Sequence, residues 1–405
     1  MAAPYEWRPG DDVMRGPIRV LELRSVVGAG GGPEKTILVG AQRADPQRHV
    51  VTVCYLRDAR DGMFAVRERA ESLGVDYVEL VERSSFDVRL WGRLRRLVRE
   101  RHIDIVHAHD YKSDLLALML SKAEPVVPVT TAHGWTGHSW RERWVYYPAD
   151  KRVIRAFPLA IAVSAQIEAD LVRGGMRPER VRVILNGIDP GAFRRDPTRE
   201  TAARHALGVA GDDLVIGSVG RLEPQKRFDL LIRACATLRE RHPRLRLVIA
   251  GAGSLREELG QLSRRLMPDG SCLWLGHRPD VSQLHHALDV FVQSSDYEGT
   301  PNTVLEAMAM ETPVVATAAG GTAEIAHHAE HALIVPTGDV EALVHAVERT
   351  LAQHAETASR VTRARRRVET TLSFAARMAA LECVYDEAMV SRGRHAPLKV
   401  VDRCA

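Results

Sequence analysis

The 405 residues include 45% hydrophobic and 27% charged side chains, the balance of a soluble globular chain long enough for two domains. No apolar run is long enough to span a bilayer, and the opening MAAPYEWRPGDD lacks the basic cap and apolar core of a signal peptide. The net charge of +4 is far below that of typical nucleic-acid binders. The five cysteines are odd in number and show no metal-ligand spacing. They read as reduced thiols of a cytoplasmic protein.

Short β-branched runs alternate with helical patterns in both halves, as in parallel sheets covered on both faces. Strands are predicted at 18–23, 49–56, 76–81, 104–109, 125–132, 159–164 and 181–186. The pattern restarts at 214–220 and continues at 245–251, 272–276, 289–294, 313–318 and 332–336. Helical runs such as RFDLLIRACATLRE and DVEALVHAVERTLAQ fill the gaps. The polar stretch 188–212, with Gly187, Pro190, Pro197 and Gly211 in or beside it, reads as a hinge. The expected fold is α/β, with two doubly wound Rossmann-like domains over 1–187 and 188–373. Their strand-end loops are expected to face an interdomain cleft. A helix at about 374–390 is expected to pack back on the first domain, and 392–405 to form a loose tail.

The positive excess lies wholly in residues 1–190, with 29 Lys+Arg against 25 Asp+Glu; beyond them the count is 27 against 27. It is visible in the helix predicted over 87–102. Trp91, Leu94, Leu97 and Val98 recur there at helical spacing, with Arg89, Arg93, Arg95, Arg96 and Arg99 around them. A solvated basic face is the plain reading, and a helix held near anionic lipid the sharper one. Trp140, Trp144, Tyr146 and Tyr147 lie amid Arg141, Arg143, Lys151, Arg152 and Arg155. They read either as core or as a membrane-facing edge.

The loops after the strands carry the candidate chemistry. SVVGAGGGPEKT places Gly28, Gly30, Gly31 and Gly32 before a helix opened by Glu34, which suits phosphate or sugar but lacks strict G-x-G-x-x-G spacing. DIVHAHD ends a strand with His107, His109 and Asp110. No third and fourth metal ligand follow, so one histidine is expected beneath the site and the other facing the cleft. TTAHGWTG places His133 at a strand end, where it can donate to a hydroxyl or a phosphate. In GRLEPQK, Arg221 and Lys226 offer two cations to a leaving diphosphate. AGAGS supplies Gly251 and Gly253, with Ser254 as the expected cap of the next helix.

The densest stretch is EGTPNTVLE. Glu298 precedes Gly299, Thr300, Pro301 and Asn302, and Glu306 lies one turn into the following helix. The unpaired amides of that first turn suit phosphate oxygens, and the two carboxylates suit hydroxyls.

Together these residues resemble glycosyltransferase family 4, the retaining nucleotide-sugar enzymes of GT-B architecture. The resemblance runs from GGPEK through HAHD, HGWTG, ILNGID and VGRL to EGTPNTVLEAMAMETPVVAT and GGTAEI. It implies a hexosyltransferase-type enzyme of class EC 2.4. By that resemblance Arg221 and Lys226 hold the donor diphosphate, Glu298 faces the transferred sugar, and Glu306 meets the ribose hydroxyls. Gly253, Gly299, Thr300, Pro301 and Asn302 line the donor site, with His133 beside the sugar. Gly31, Gly32, Glu34, His109 and Asp110 form the acceptor and phosphate loops. The implied chemistry is front-face attack without metal or cofactor, the leaving diphosphate taking the acceptor proton. The donor is a nucleoside diphosphate sugar, uridine before guanosine on family frequency. The acceptor is a glycan, a lipid-linked glycan or a small molecule, as in polysaccharide biosynthesis, at the inner face of the cell membrane. A nucleotide-sugar epimerase of the same fold and a catalytically silent sugar-nucleotide-binding protein remain the rivals.

Overall fold

The computed structural model describes residues 16–391 except 27, 29, 63, 65, 84–86, 135–146 and 279. Trp140, Trp144, Tyr146, Arg141 and Arg143, and the tail from 392, lie outside the described residues. Among the described residues, thirteen strands form two parallel sheets. The first contains β1 (Ile18–Val26), β2 (His49–Asp58), β3 (Tyr77–Glu82), β4 (Ile105–Ala108), β5 (Val127–Ala132), β6 (Leu159–Ala162) and β7 (Val181–Val183), in the order β3-β2-β1-β4-β5-β6-β7. The second contains β8 (Leu214–Val219), β9 (Leu245–Ala250), β10 (Cys272–Gly276), β11 (Val290–Gln293), β12 (Val314–Thr317) and β13 (Leu333–Val335), in the order β10-β9-β8-β11-β12-β13. Every predicted strand is present and each sheet is doubly wound, so the α/β expectation holds.

The central strands β4, β5, β11 and β12 are buried along their whole length, as helices on both faces require. Leu231, Leu247 and Leu343 are among the side chains that close one face of the second sheet, and Phe291, Leu305 and Val368 among those of the other. Helix starts follow local chemistry. Asp87, Asp110, Ser164 and Asp339 each accept a backbone N–H from the first turn of the helix they precede.

The chain forms two compact units. One comprises the described residues of 1–131, 156–159 and 382–405, the other the described residues of 132–155 and 160–381. In the first unit the end of the helix Phe374–Ser391 is anchored by a buried polar network. Tyr385 donates to Glu22 Oε1 at 2.8 Å and lies 2.8 Å from His107 Nδ1, while His107 Nε2 lies 2.7 Å from Thr131 Oγ1. Arg48 pairs with Glu382 and Asp386 of the same helix. In the second unit Ile188 forms a parallel bridge with Ser373. A Cβ at Gly187 would stand 2.7 Å from Ser373 O, so only glycine allows these two strands of chain to run side by side there. Cys54, Cys235 and Cys272 are free, whereas Cys383 is disulfide-bonded, which corrects the expectation of five reduced thiols.

One buried histidine predicts a pH response. His285 is fully buried, its Nδ1 3.1 Å from Thr312 Oγ1 and its Nε2 without a hydrogen-bond partner among the described residues. Burial, reinforced by Arg195 and His286, lowers its pKa from 6.5 to about 3. The unfolded chain therefore takes up this proton first, so its contribution to stability is complete above about pH 6.5 and declines as pH falls toward 3. Stability measured by denaturant unfolding is expected to be about 1–2 kcal/mol lower at pH 5 than at pH 7. His285→Gln should flatten that slope; an unchanged slope would contradict the assignment.

Candidate active site

The second unit gathers most of the predicted residues at the carboxyl ends of β8, β9 and β11. After β8, Pro224–Lys226 forms a single 3₁₀ turn. Ser294 Oγ donates to Lys226 O at 3.0 Å, and Asp296 N donates to Gln225 O at 2.8 Å. The turn is thus fastened to the chain leaving β11. Arg227 closes it in a left-handed conformation at φ 48° and is held by Asp229 and Asp296.

This brings Lys226 Nζ to 2.6 Å from Glu298 Oε1. Ser295 Oγ and Gln293 Nε2 donate to the same oxygen at 2.6 Å and 3.1 Å. Glu298 and Glu306 are 8% and 6% exposed, so both carboxylates sit largely out of bulk water. Arg221 is exposed and its guanidinium has no partner among the described residues. The two predicted diphosphate cations therefore differ: one is engaged and sheltered, the other open.

Pro301 is the N-cap of the helix Asn302–Ala309. The amides of Asn302 and Thr303 have no acceptor among the described residues, as expected of a first turn. Thr300 Oγ1 donates to Val163 O, and Asn186 Nδ2 reaches Thr300 O at 3.3 Å and Asn302 Oδ1 at 3.1 Å. A Cβ at Gly299 would meet His133 O at 3.0 Å, which places His133 directly beside this turn. Glu324 closes the cluster, both its oxygens 2.9 Å from Ala165 N.

The glycines of the neighbouring loop permit close backbone stacking. A Cβ at Gly251 would fall 1.8 Å from Gly220 O, and one at Gly253 would fall 2.5 Å from Leu222 O. Ser254 does not cap the helix, which corrects the expectation. Its amide and hydroxyl bind Glu223 at 3.1 and 2.8 Å, and the helix Arg256–Leu266 starts after Leu255 without a side-chain cap. Tying the two loops together wins over capping because Glu223 offers both oxygens to Ser254.

The remaining predicted residues lie in the first unit. Gly31 and Gly32 open the helix Gly32–Arg43, and Gly28 and Gly30 take φ of 64° and 70°. Glu34 accepts from Gly31 N at 2.5 Å and pairs with Arg24 Nε at 2.6 Å. Burial opposes its ionisation, but Arg24 and the Gly31 amide outweigh burial and hold its pKa below the usual range. Asp110 caps the helix Tyr111–Ala123 and accepts from Ser25 N at 2.7 Å.

Both histidines of HAHD are buried, at 0% and 4% exposure. His109 Nε2 is bonded to Glu22 Oε2. Burial, then His107, lowers the His109 pKa to about 4, so the ring is neutral at pH 7 and donates from Nε2. With Tyr385 donating to Glu22, His107 donates from Nδ1 and accepts from Thr131; this tautomer is assigned from the network. Glu22, His107 and His109 offer ligand atoms within 4.8 Å of one another. A cation would have to displace these bonds, so the set does not fit a metal. Nor does the group His327, Glu330 and His331, because His331 Nδ1 accepts from His327 N and its proton sits on the Nε2 that faces Glu330.

Sequence reasoning missed Gln293, Ser295 and Glu223. The spacing Ser295-x-x-Glu298 at a turn was the available signal; the others touch the site across more than 30 residues of chain or from a strand end.

Residues 30–192 match the profile of Glycosyltransferase Family 4, and residues 200–368 that of Glycosyl transferases group 1. A D-inositol 3-phosphate glycosyltransferase of Saccharomonospora viridis is 31% identical over 319 residues, spanning 72% of this chain and 71% of that protein. Across eight curated relatives the match spans 54% to 73% of their own length. Anabaena HepE, solved with UDP-glucose, superposes with a TM-score of 0.79 at 22% identity, covering 93% of this chain and 100% of HepE. Sucrose-phosphate synthase of Thermosynechococcus elongatus gives 0.75 at 20% identity, covering 92% and 100%. The chain belongs to glycosyltransferase family 4. It is a glycosyltransferase of the GT-B fold.

Proposed function

We propose that the protein moves a sugar, with retention, from a nucleoside diphosphate sugar to a glycan, lipid-linked or small-molecule acceptor. The carrying observation is that one unit holds Lys226, Glu298 and the Asn302 and Thr303 amides, which have no acceptor among the described residues. In this reading the ammonium and amides stabilise charge that develops on the departing diphosphate. The bond from the anomeric carbon to the diphosphate breaks, the acceptor oxygen bonds to that carbon, and its proton passes to a diphosphate oxygen. Glu298 and Glu306 orient hydroxyls, and His133 lies beside the transferred sugar. A uridine donor is favoured by the UDP-glucose complex of HepE.

A thermal-shift series with nucleoside diphosphate sugars, and NAD as control, tests the donor. One sugar nucleotide is expected to raise the melting temperature selectively, because a ligand of the folded state stabilises it. A shift with NAD alone, or with none, would sink the proposal.

A lipid-linked acceptor places the enzyme at the inner face of the membrane. No helix among the described residues is long and apolar enough to cross a bilayer, so the contact we propose is peripheral. In the first unit Tyr111, Leu115 and Met119 recur every fourth residue on one helix and are 48%, 50% and 43% exposed. The basic helix Val88–Glu100 is joined to that helix through Arg95 and Arg99, which pair with Glu124. Arg93 is also engaged, bonded to Val81 O. Flotation with anionic vesicles is expected to retain the protein and Leu115→Asp to release it. Equal flotation with neutral vesicles would dismiss this contact.

A further inference from the structure

Lys226, Ser295 and Gln293 all address Glu298 Oε1, at 2.6, 2.6 and 3.1 Å. Glu298 Oε2 receives no hydrogen bond from the described residues. A carboxylate oxygen has two lone-pair sites, so three donors oversubscribe it. One donor can leave without orphaning the atom. Ser295 and Gln293 are 1% and 4% exposed and anchored elsewhere. Ser295 O accepts from Thr317 Oγ1 at 2.5 Å, and Gln293 Nε2 also lies 3.4 Å from Thr322 Oγ1. Lys226 is the charged member and sits on a flexible four-carbon stem. It is the donor able to move.

We infer that Lys226 exchanges between Glu298 Oε1 and the donor diphosphate, while Ser295 and Gln293 act as positioning residues that keep Glu298 Oε2 aimed at the sugar. This rests on the donor site proposed above. With a sugar nucleotide bound, the ammonium faces the diphosphate, and sugar hydroxyls supply hydrogen bonds to Glu298 in its stead. Once the sugar has been transferred, those hydroxyls are gone. The carboxylate then competes with the diphosphate for Lys226, and recapture of the lysine expels the nucleoside diphosphate.

Calorimetric titration of the full chain with UDP and with GDP tests the exchange. Glu298→Gln removes the competitor, so its preferred nucleoside diphosphate is expected to bind roughly tenfold tighter than to wild type. Ser295→Ala leaves Oε1 more dependent on Lys226, so binding should weaken about two- to fivefold and kcat should fall with little change in KM. Opposite signs at two residues touching one oxygen are not expected of a merely structural role. Thermal melts check that each variant folds, and Glu298→Asp, with a shorter reach, supplies a second variant with the same expected sign. Equal or weaker binding by the folded Glu298 variants, or tighter binding by Ser295→Ala, would overturn the exchange. If wild type binds neither nucleoside diphosphate, the donor site itself falls and the exchange with it.

Discussion

Lys226→Ala is expected to lower kcat/KM for sugar transfer on the order of 10³-fold while leaving the melting temperature within a few degrees of wild type. The activity loss follows from the proposed chemistry. Breaking a sugar–phosphate bond concentrates negative charge on the leaving diphosphate, and a sheltered cation stabilises it more than a solvated one does. The side chain of Lys226 is 18% exposed, so it meets that condition; the open Arg221 meets it less well. The small stability change follows from the hydrogen bonds. When Lys226 is lost, Glu298 Oε1 keeps Ser295 and Gln293, so no buried acceptor is stranded. Glu298→Ala should remove most transfer as well, through loss of sugar orientation. Turnover near wild type in either variant, measured as nucleoside diphosphate release with the donor found by thermal shift, would refute the site.

Gly320→Ala is expected to destabilise the second unit by more than about 3 kcal/mol. Gly320 takes φ 50°, and a Cβ there would stand 1.8 Å from Glu298 O. The atom it meets is backbone, and that backbone is held from both sides. Gly321 N donates to Gly299 O at 2.9 Å, and Thr300 is tied to Asn186. Relief would require moving the Glu298 turn, so any folded fraction should also lose transfer. Gly208→Ala is the matched control. It takes φ 67° with nothing within 4 Å, so only the left-handed strain of about 1 kcal/mol applies. Equal costs for the two variants in denaturant unfolding would show that the close approach is not what demands glycine at 320.

Much of this protein was legible in its sequence. Strands such as DVFVQS and PVVATA were readable because a parallel strand buried on both faces is nearly all apolar, and that pattern is local. The start of the helix after Pro301 was readable because a proline lacks the N–H that a first turn leaves unpaired. The grouping of Arg221, Lys226, Glu298 and Glu306 was proposed from family resemblance, because no spacing rule joins positions some 70 residues apart.

Chain order thus determined the two doubly wound sheets and the loops at their strand ends, since burial pattern and turn chemistry act over a few residues. Tertiary structure alone decided what each polar side chain touches. HAHD does not by itself say which histidine lies beneath the site; the packing of Tyr385, 278 residues away, sets His107 into a buried network. Ser254 reads as a cap, yet Glu223 on a neighbouring loop takes its hydroxyl. Lys226 reads as a free cation, yet the fold brings it onto Glu298. Hydrogen bonds and ion pairs are short-ranged in space and indifferent to separation along the chain, so only the folded backbone selects the partner.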